Sequence, residues 1–230
     1  MKHSLQAMIP FWNADRSLSV LLAFLGVLLF VVTPLTQITG VGAALNGVVF
    51  TLLAITGTAA VTRRAGLVAA VVLIGLARLM LDWLSHSPLS QGFVVGDLLL
   101  RACFVLLIAA LVTVQIFRPG NYSHHGVQGA ICIYLLAALA WAYAYEIVHV
   151  LDPDAFRIGA TKGATPNLAL FRFFSFETLT TLGYGDVLPV DSIARTLAAM
   201  EALFGQLFPA VMIARLVSLE IAERTARRIA

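Results

Sequence analysis

The sequence predicts an all-α integral membrane protein, with six transmembrane helices and a short re-entrant helix and loop between the fifth and sixth. Of the 230 residues, 60% are hydrophobic and 12% charged, and the mean hydropathy is +0.92, too apolar for an ordinary soluble domain. Apolar runs close to the ~20 residues that cross a bilayer recur at 18–37, 43–61, 65–84, 93–117, 127–150 and 192–222.

Residues 1–17 read as a cytoplasmic N-terminal segment, and 18–118 as a bundle of four spanning helices. The small residues Val41-Gly42-Ala43 follow the first run as they would at a signal-peptide cleavage site. That run exceeds the ~7 to 15 residues of a signal h-region, however, and is read as a retained span. The third and fourth runs form a hairpin turning near Leu89, so Arg78 and Arg101 fall at one depth, and Asp82 and Asp97 at another. Within each helix the acid stands four residues from the base, one turn away. The expected result is a neutral four-charge cluster that fixes packing.

Residues 119–126 form a connector, in which His124 and His125 read as solvated interfacial side chains, since adjacent helical positions do not face each other. Residues 127–222 form a second unit: an outer helix, a short helix at 168–180, a loop at 181–186 and a last helix. Pro166 and Asn167 mark the start of the short helix, with Asn167 as N-cap. The tail at 223–230 is short and basic, with no room for a ligand-sensing domain.

Orientation follows from the excess of Lys and Arg on the cytoplasmic side. Lys2, Arg16, Arg63, Arg64, Arg118, Arg224, Arg227 and Arg228 all fall on one side. The other side carries Asp152, Asp154, Asp186 and Asp191, partly offset by Arg157, Lys162, Arg172 and Arg195. Both termini are therefore expected in the cytoplasm of a plasma (inner) membrane protein. Cys103 and Cys132 sit inside apolar runs, which supports neither a disulfide framework nor a zinc site; both read as small packing residues.

The loop reads Thr-Thr-Leu-Gly-Tyr-Gly-Asp from Thr180 to Asp186. This motif resembles the potassium-channel selectivity filter, and residues 126–222 resemble the two-helix pore module of bacterial KcsA-like potassium channels. The resemblance implies a C4 homotetramer that passes K⁺ passively, with rings of carbonyl oxygen replacing the ion's hydration shell. K⁺ would be held by Thr181, Leu182, Gly183 and Tyr184, and Gly185 completes the filter. Gly183 and Gly185 supply the left-handed backbone such carbonyl rings need, while Leu182 and Tyr184 turn their side chains outward. The short helix would aim the negative end of its dipole at a cation below the filter.

Further roles follow from the same resemblance. Glu177 matches a glutamate behind the filter and Asp186 the aspartate ending the signature; like charge and burial should raise one pKa, so that the pair shares a proton and influences inactivation. Phe173 and Phe174 stand where many of these channels have tryptophan, which leaves the cuff around the filter to packing. Gly205 matches a hinge glycine, Pro209 adds a kink by removing a helical hydrogen bond, and the two form the expected gating hinge. Gln206 faces the cavity, and Ile213, Ala214, Val217 and Ile221 line the gate. Glu201, an acid at membrane depth, reads as a hydrogen-bonded group packed near Trp141 or Tyr145.

The implied partners are three further copies of the chain, membrane lipids and K⁺ ions; no nucleic acid and no cofactor are implied. The first four helices lack the arginine array of a voltage sensor, since the fourth span holds only Arg101 and the third only Arg78. One arginine per subunit yields weak voltage dependence at ~2.3 kcal/mol per charge per 100 mV. Two alternatives remain: a voltage-gated potassium channel with an unconventional sensor, and a pore subunit of a K⁺ uptake transporter, which the single pore loop disfavours. No catalytic constellation, metal-ligand spacing or phosphate loop points to an enzyme.

Overall fold

A computed structural model describes residues 18–34, 91–116, 125–159 and 168–229. Helix α1 covers residues 18–34, α2 Gln91–Ile116, α3 His125–Leu151, α4 Leu168–Leu179 and α5 Ser192–Ile229, with short strands β1 at Phe156–Ile158 and β2 at Val187–Pro189. Three described helices are long and apolar enough to cross a membrane: Gln91–Val114, Gly126–Leu151 and Ser192–Arg215. They coincide with the runs read at 93–117, 127–150 and 192–222. The runs at 43–61 and 65–84, with Arg78 and Asp82, lie outside the described residues, as do His124, the Pro166-Asn167 helix start and the connector up to residue 124.

Two compact units divide the chain, Met1–Pro88 with Ile108–Ile133, and Leu89–Leu107 with Tyr134–Ala230. In the first, α1 buries Leu18, Leu21, Leu25 and Leu28, a stripe at helical spacing. Its turn at Leu28–Val32 widens to a π-helix, where the Thr33 backbone N–H and hydroxyl both donate to the Leu28 carbonyl, the hydroxyl at 2.9 Å. Ser19 donates to Gln128 at 3.0 Å across to α3. Cys132 is buried with its thiol 3.9 Å from the Leu18 carbonyl, a packing residue as expected. Cys103 corrects that expectation: it is exposed on α2.

The second unit holds the loop of interest. Its core joins Tyr145 of α3, Ala155, Phe156 of β1, Phe171 and Phe174 of α4, Val187 of β2 and Ala194 of α5. The rings meet mostly edge to face, Tyr145 and Phe174 at 4.9 Å and Phe156 and Phe171 at 5.1 Å between centroids, an arrangement suited to aromatic quadrupoles.

The strand pair departs from the all-α expectation. β1 and β2 run antiparallel, with Phe156 opposite Pro189, Arg157 opposite Leu188 and Ile158 opposite Val187. The Gly159 N–H extends the ladder by donating to the Asp186 carbonyl at 2.7 Å. Three-residue strands leave no periodic run, so their signal lies below what sequence pattern carries. Their effect is to tie the chain that leaves the loop at Asp186 to the chain that leaves α3.

Immediately after β2, Asp191 caps α5. Its carboxylate accepts from the Ile193 N–H at 2.7 Å, the ordinary N-cap geometry. These backbone N–H groups at the helix start hold the Asp191 carboxyl below its usual pKa.

Candidate functional site

The site begins at α4, where Phe171, Phe174 and Leu179 are buried. The Thr178 and Thr180 hydroxyls donate to the Phe174 and Phe176 carbonyls at 2.9 and 2.6 Å, and the Thr180 N–H donates to Phe176 at 3.0 Å. The helix then ends in a tightening turn: the Thr181 N–H donates to the Thr178 carbonyl at 3.1 Å and the Leu182 N–H to the Glu177 carbonyl at 2.8 Å.

From there the backbone alternates. Thr181 has φ 57°, Gly183 φ 59° and Gly185 φ 80°, while Leu182 and Tyr184 keep negative φ. Left-handed backbone was expected at the two glycines, where no Cβ opposes it. Its appearance at Thr181 was not expected, because a β-branched residue at positive φ is an outlier. Counting back by two from Gly183 and Gly185 is the signal that points to it.

Residues Thr180 through Gly185 are exposed in the single chain. Leu182 is 54% and Tyr184 69% accessible, so neither side chain is packed away within the chain. Tyr184 does stack on Phe173 at 6.2 Å and 5° between ring planes. Phe173 thus backs the loop while Phe174 belongs to the core, two different tasks for adjacent residues.

Glu177 and Asp186 come together. Glu177 is buried, its carboxyl beside the Asp186 carboxyl and the Tyr184 backbone N–H, and its Oε1 has no hydrogen-bond partner among the described residues. Asp186 also accepts from the Val187 N–H at 2.9 Å. The arrangement links the last turn of α4 to the end of the loop, and two facing carboxyls ionise together only at Coulombic cost.

Glu201 is buried completely. The Tyr145 hydroxyl donates to its Oε2 at 2.5 Å, and Ser175 Oγ lies 2.5 Å from its Oε1 and 2.8 Å from the Ala138 carbonyl. Tyr145 is an expected neighbour of this acid, whereas nothing in the sequence pattern marks Ser175. A serine hydroxyl carries one proton, so a proton on Glu201 donated to Ser175, with Ser175 donating to Ala138, gives every oxygen a partner. One acid thereby joins α3, α4 and α5.

Gly205 stands one turn further along α5. A Cβ there would collide with the Leu179 carbonyl, lying 2.8 Å from its carbon atom. Glycine is therefore required for close approach of α5 to the end of α4, whatever its part in bending. The helix continues unbroken through Gly205 and Pro209 to Ile229. Gln206 reaches the loop directly, its Nε2 donating to Thr181 Oγ1 at 3.1 Å. Beyond it, Ile213, Val217 and Ile221 are 62%, 53% and 60% accessible and Ala214 is exposed, an apolar face left open by the single chain.

Asp97 and Arg101 form the expected pair one turn apart, 3.0 Å between Oδ2 and Nε. The expected hairpin partners, Arg78 and Asp82, lie outside the described residues. Glu146 of α3 lies within electrostatic reach of Asp97, Arg101 and Arg172 of α4. Arg172, which the sequence places on the outer side within the short helix, is 3% accessible. Arg172 lies on the buried face of α4, with Glu146 of α3 within electrostatic reach of its charge.

Residues 130–221 match the protein family described as Ion channel. The chain is also 31% identical over 113 residues to Protein LctB of Bacillus caldotenax, taking in 48% of this chain and 84% of that relative. Protein LctB of Geobacillus stearothermophilus is 35% identical over 82 residues, covering 34% of this chain and 60% of the relative, so the chain spans less than two thirds of the latter. No solved structure matches.

Proposed function

Since the chain belongs to the ion channel family, we propose that it is a potassium-selective channel in which four copies surround one pore and pass K⁺ passively. The observation that carries this reading is the alternation of left-handed backbone at Thr181, Gly183 and Gly185 on an exposed segment that follows a buried helix. Alternating handedness turns successive carbonyls toward one side, and four such segments make stacked oxygen rings of the kind that replace a K⁺ hydration shell.

Membrane physics supports the fourfold assembly. Irregular backbone at membrane depth is tolerated only where protein buries it or where it lines a water-filled cavity. The exposed loop and the open apolar face of α5 meet that condition together: copies packed about an axis cover the outward side chains and leave the carbonyls to water and ions. The carbonyls of Thr181, Leu182, Gly183 and Tyr184 then carry the ion, and Ile213, Ala214, Val217 and Ile221 line the inner gate.

In this proposal the first four of six spans form a peripheral bundle and both termini are cytoplasmic. The sole arginine of the described part of that bundle, Arg101, is compensated by Asp97. A fixed neutral cluster adds little voltage dependence.

The proposal is tested by ⁸⁶Rb⁺ uptake into K⁺-loaded proteoliposomes diluted into Na⁺ buffer, with the purified complex weighed by native mass spectrometry. Uptake driven by the outward K⁺ gradient and a mass near four chains of 24.7 kDa are expected. A monomer, or ²²Na⁺ uptake equal to that of ⁸⁶Rb⁺ under matched gradients, overturns it.

A further inference from the structure

We propose that Gln206 is a positioning residue of the filter: its amide fixes the Thr181 hydroxyl and thereby the innermost oxygen ring, and α5 moves only below it, from Pro209 onward. This inference rests on the potassium-filter reading above.

Thr181 holds a backbone conformation that β-branched residues avoid, with φ 57°, and such outliers persist only when their surroundings over-determine them. Three hydrogen bonds do so. The Thr181 N–H donates to Thr178 at 3.1 Å, its hydroxyl donates to the Thr180 carbonyl at 2.7 Å, and Gln206 Nε2 donates to that hydroxyl at 3.1 Å. A hydroxyl has one proton and two lone pairs. With the proton committed to Thr180 and one lone pair to Gln206, the remaining lone pair is oriented rather than free to rotate. Of the three, the Gln206 bond alone comes from another element.

Gln206 can hold Thr181 because its own backbone is held. Gly205 beside it is pressed against the Leu179 carbonyl, and that carbonyl also accepts from the Tyr134 hydroxyl of α3 at 3.1 Å. One turn earlier, Glu201 is bonded to Tyr145 and flanked by Ser175. Just beyond, Phe208 stacks on Tyr134 at 6.0 Å and on Phe204 at 5.2 Å. From Glu201 to Phe208, α5 is thus anchored to both α3 and α4. Pro209 is the first position past these anchors, and it lacks the N–H of an ordinary helical residue. The Gln206 side chain therefore stays with the filter when the lower helix bends.

The test uses the purified tetramer and two probes: K⁺ binding by calorimetry, and block by internal Ba²⁺, a divalent cation of nearly the size of K⁺, in planar bilayers. Gln206→Met keeps the length and loses the N–H; Gln206→Asn, a milder change at an exposed position, keeps the amide and loses the reach. Both are expected to weaken Ba²⁺ block and K⁺ binding about three- to tenfold, the factor one neutral hydrogen bond carries. In a Thr181→Val background, which lacks the hydroxyl, Gln206→Met is expected to add nothing further. Unchanged affinities in the single variants, or full additivity in the double variant, overturn the proposal. Calorimetry requires no conduction, so a closed variant still gives an answer. Wild-type protein that binds Na⁺ as well as K⁺ instead overturns the filter reading beneath it, a distinguishable failure.

Discussion

Tyr145 on α3 donates a 2.5 Å hydrogen bond to Glu201 on α5, and both side chains are fully shielded from solvent. With Ser175 of α4 on the other carboxyl oxygen, the acid is the point where three helices of the second unit meet.

A neutral, proton-sharing Glu201 makes a specific prediction. Glu201→Gln preserves volume and neutrality and is expected to cost about 1 kcal/mol, whereas Glu201→Ala opens a cavity and strips two buried hydroxyls of a partner, at about 3 kcal/mol. Thermal denaturation of the purified protein in detergent measures both. Equal losses in the two variants contradict the account.

The close approach at Gly205 predicts intolerance of even one methyl group. Because the Leu179 carbonyl belongs to a helix end that cannot swing aside, Gly205→Ala is expected to destabilise by about 1 to 3 kcal/mol, the range for overpacking. Gly96 is a control on α2, where an added Cβ meets nothing within 4 Å, and Gly96→Ala is expected to leave the melting temperature unchanged or slightly raised. A Gly205→Ala protein as stable as wild type removes the close-approach argument.

The N-cap at Asp191 predicts a pH effect with a definite sign. Its carboxyl is held below its ordinary pKa by the N–H groups opening α5, so the ionised form favours the folded state. That contribution is complete above the unfolded value of about 3.9 and is lost as pH falls through the lower folded value. Asp191→Asn keeps a capping oxygen without a titrating group, so its stability curve should lose this acid-side component. The difference in melting temperature between the two proteins from pH 6 to pH 3 reads it directly, and parallel curves contradict it.

At Gly183 the space is open and the backbone decides. No atom lies within 4 Å of an added Cβ, yet φ is +59°, where an L side chain costs roughly 1 to 2 kcal/mol. Gly183→Ala is therefore expected to leave the helices folded while relaxing the loop. Far-UV circular dichroism should be preserved and the preference for K⁺ over Na⁺ lost; retained preference contradicts the role given to left-handed backbone here.

What the sequence made legible follows its physics. Helices α2, α3 and α5 were readable as long apolar runs, and α4 as a short helix before a motif with two spaced glycines. The pairing of Glu177 with Asp186 was reachable through the resemblance, because both acids sit at fixed offsets from that motif. The strands at Phe156–Ile158 and Val187–Pro189 were not readable, being too short to show alternation. Nor was the approach of Glu146 to Arg101 and Arg172, since depth along one hairpin says nothing of which third helix packs beside it. Ser175 escaped for a related reason: a lone serine on an apolar helix acquires meaning only from the carboxyl opposite. Thr181 shows the limit of residue preference, because its left-handed backbone runs against its own inclination while its N–H donates to the Thr178 carbonyl and its hydroxyl accepts from Gln206.

The central claim is that the loop from Thr181 to Gly185 selects K⁺. The reversal potential of purified wild-type protein in planar bilayers, with K⁺ on one side and Na⁺ on the other, tests it most directly. Reversal far toward the K⁺ equilibrium potential is expected; reversal near zero or toward the Na⁺ potential would contradict selection of K⁺ by this loop.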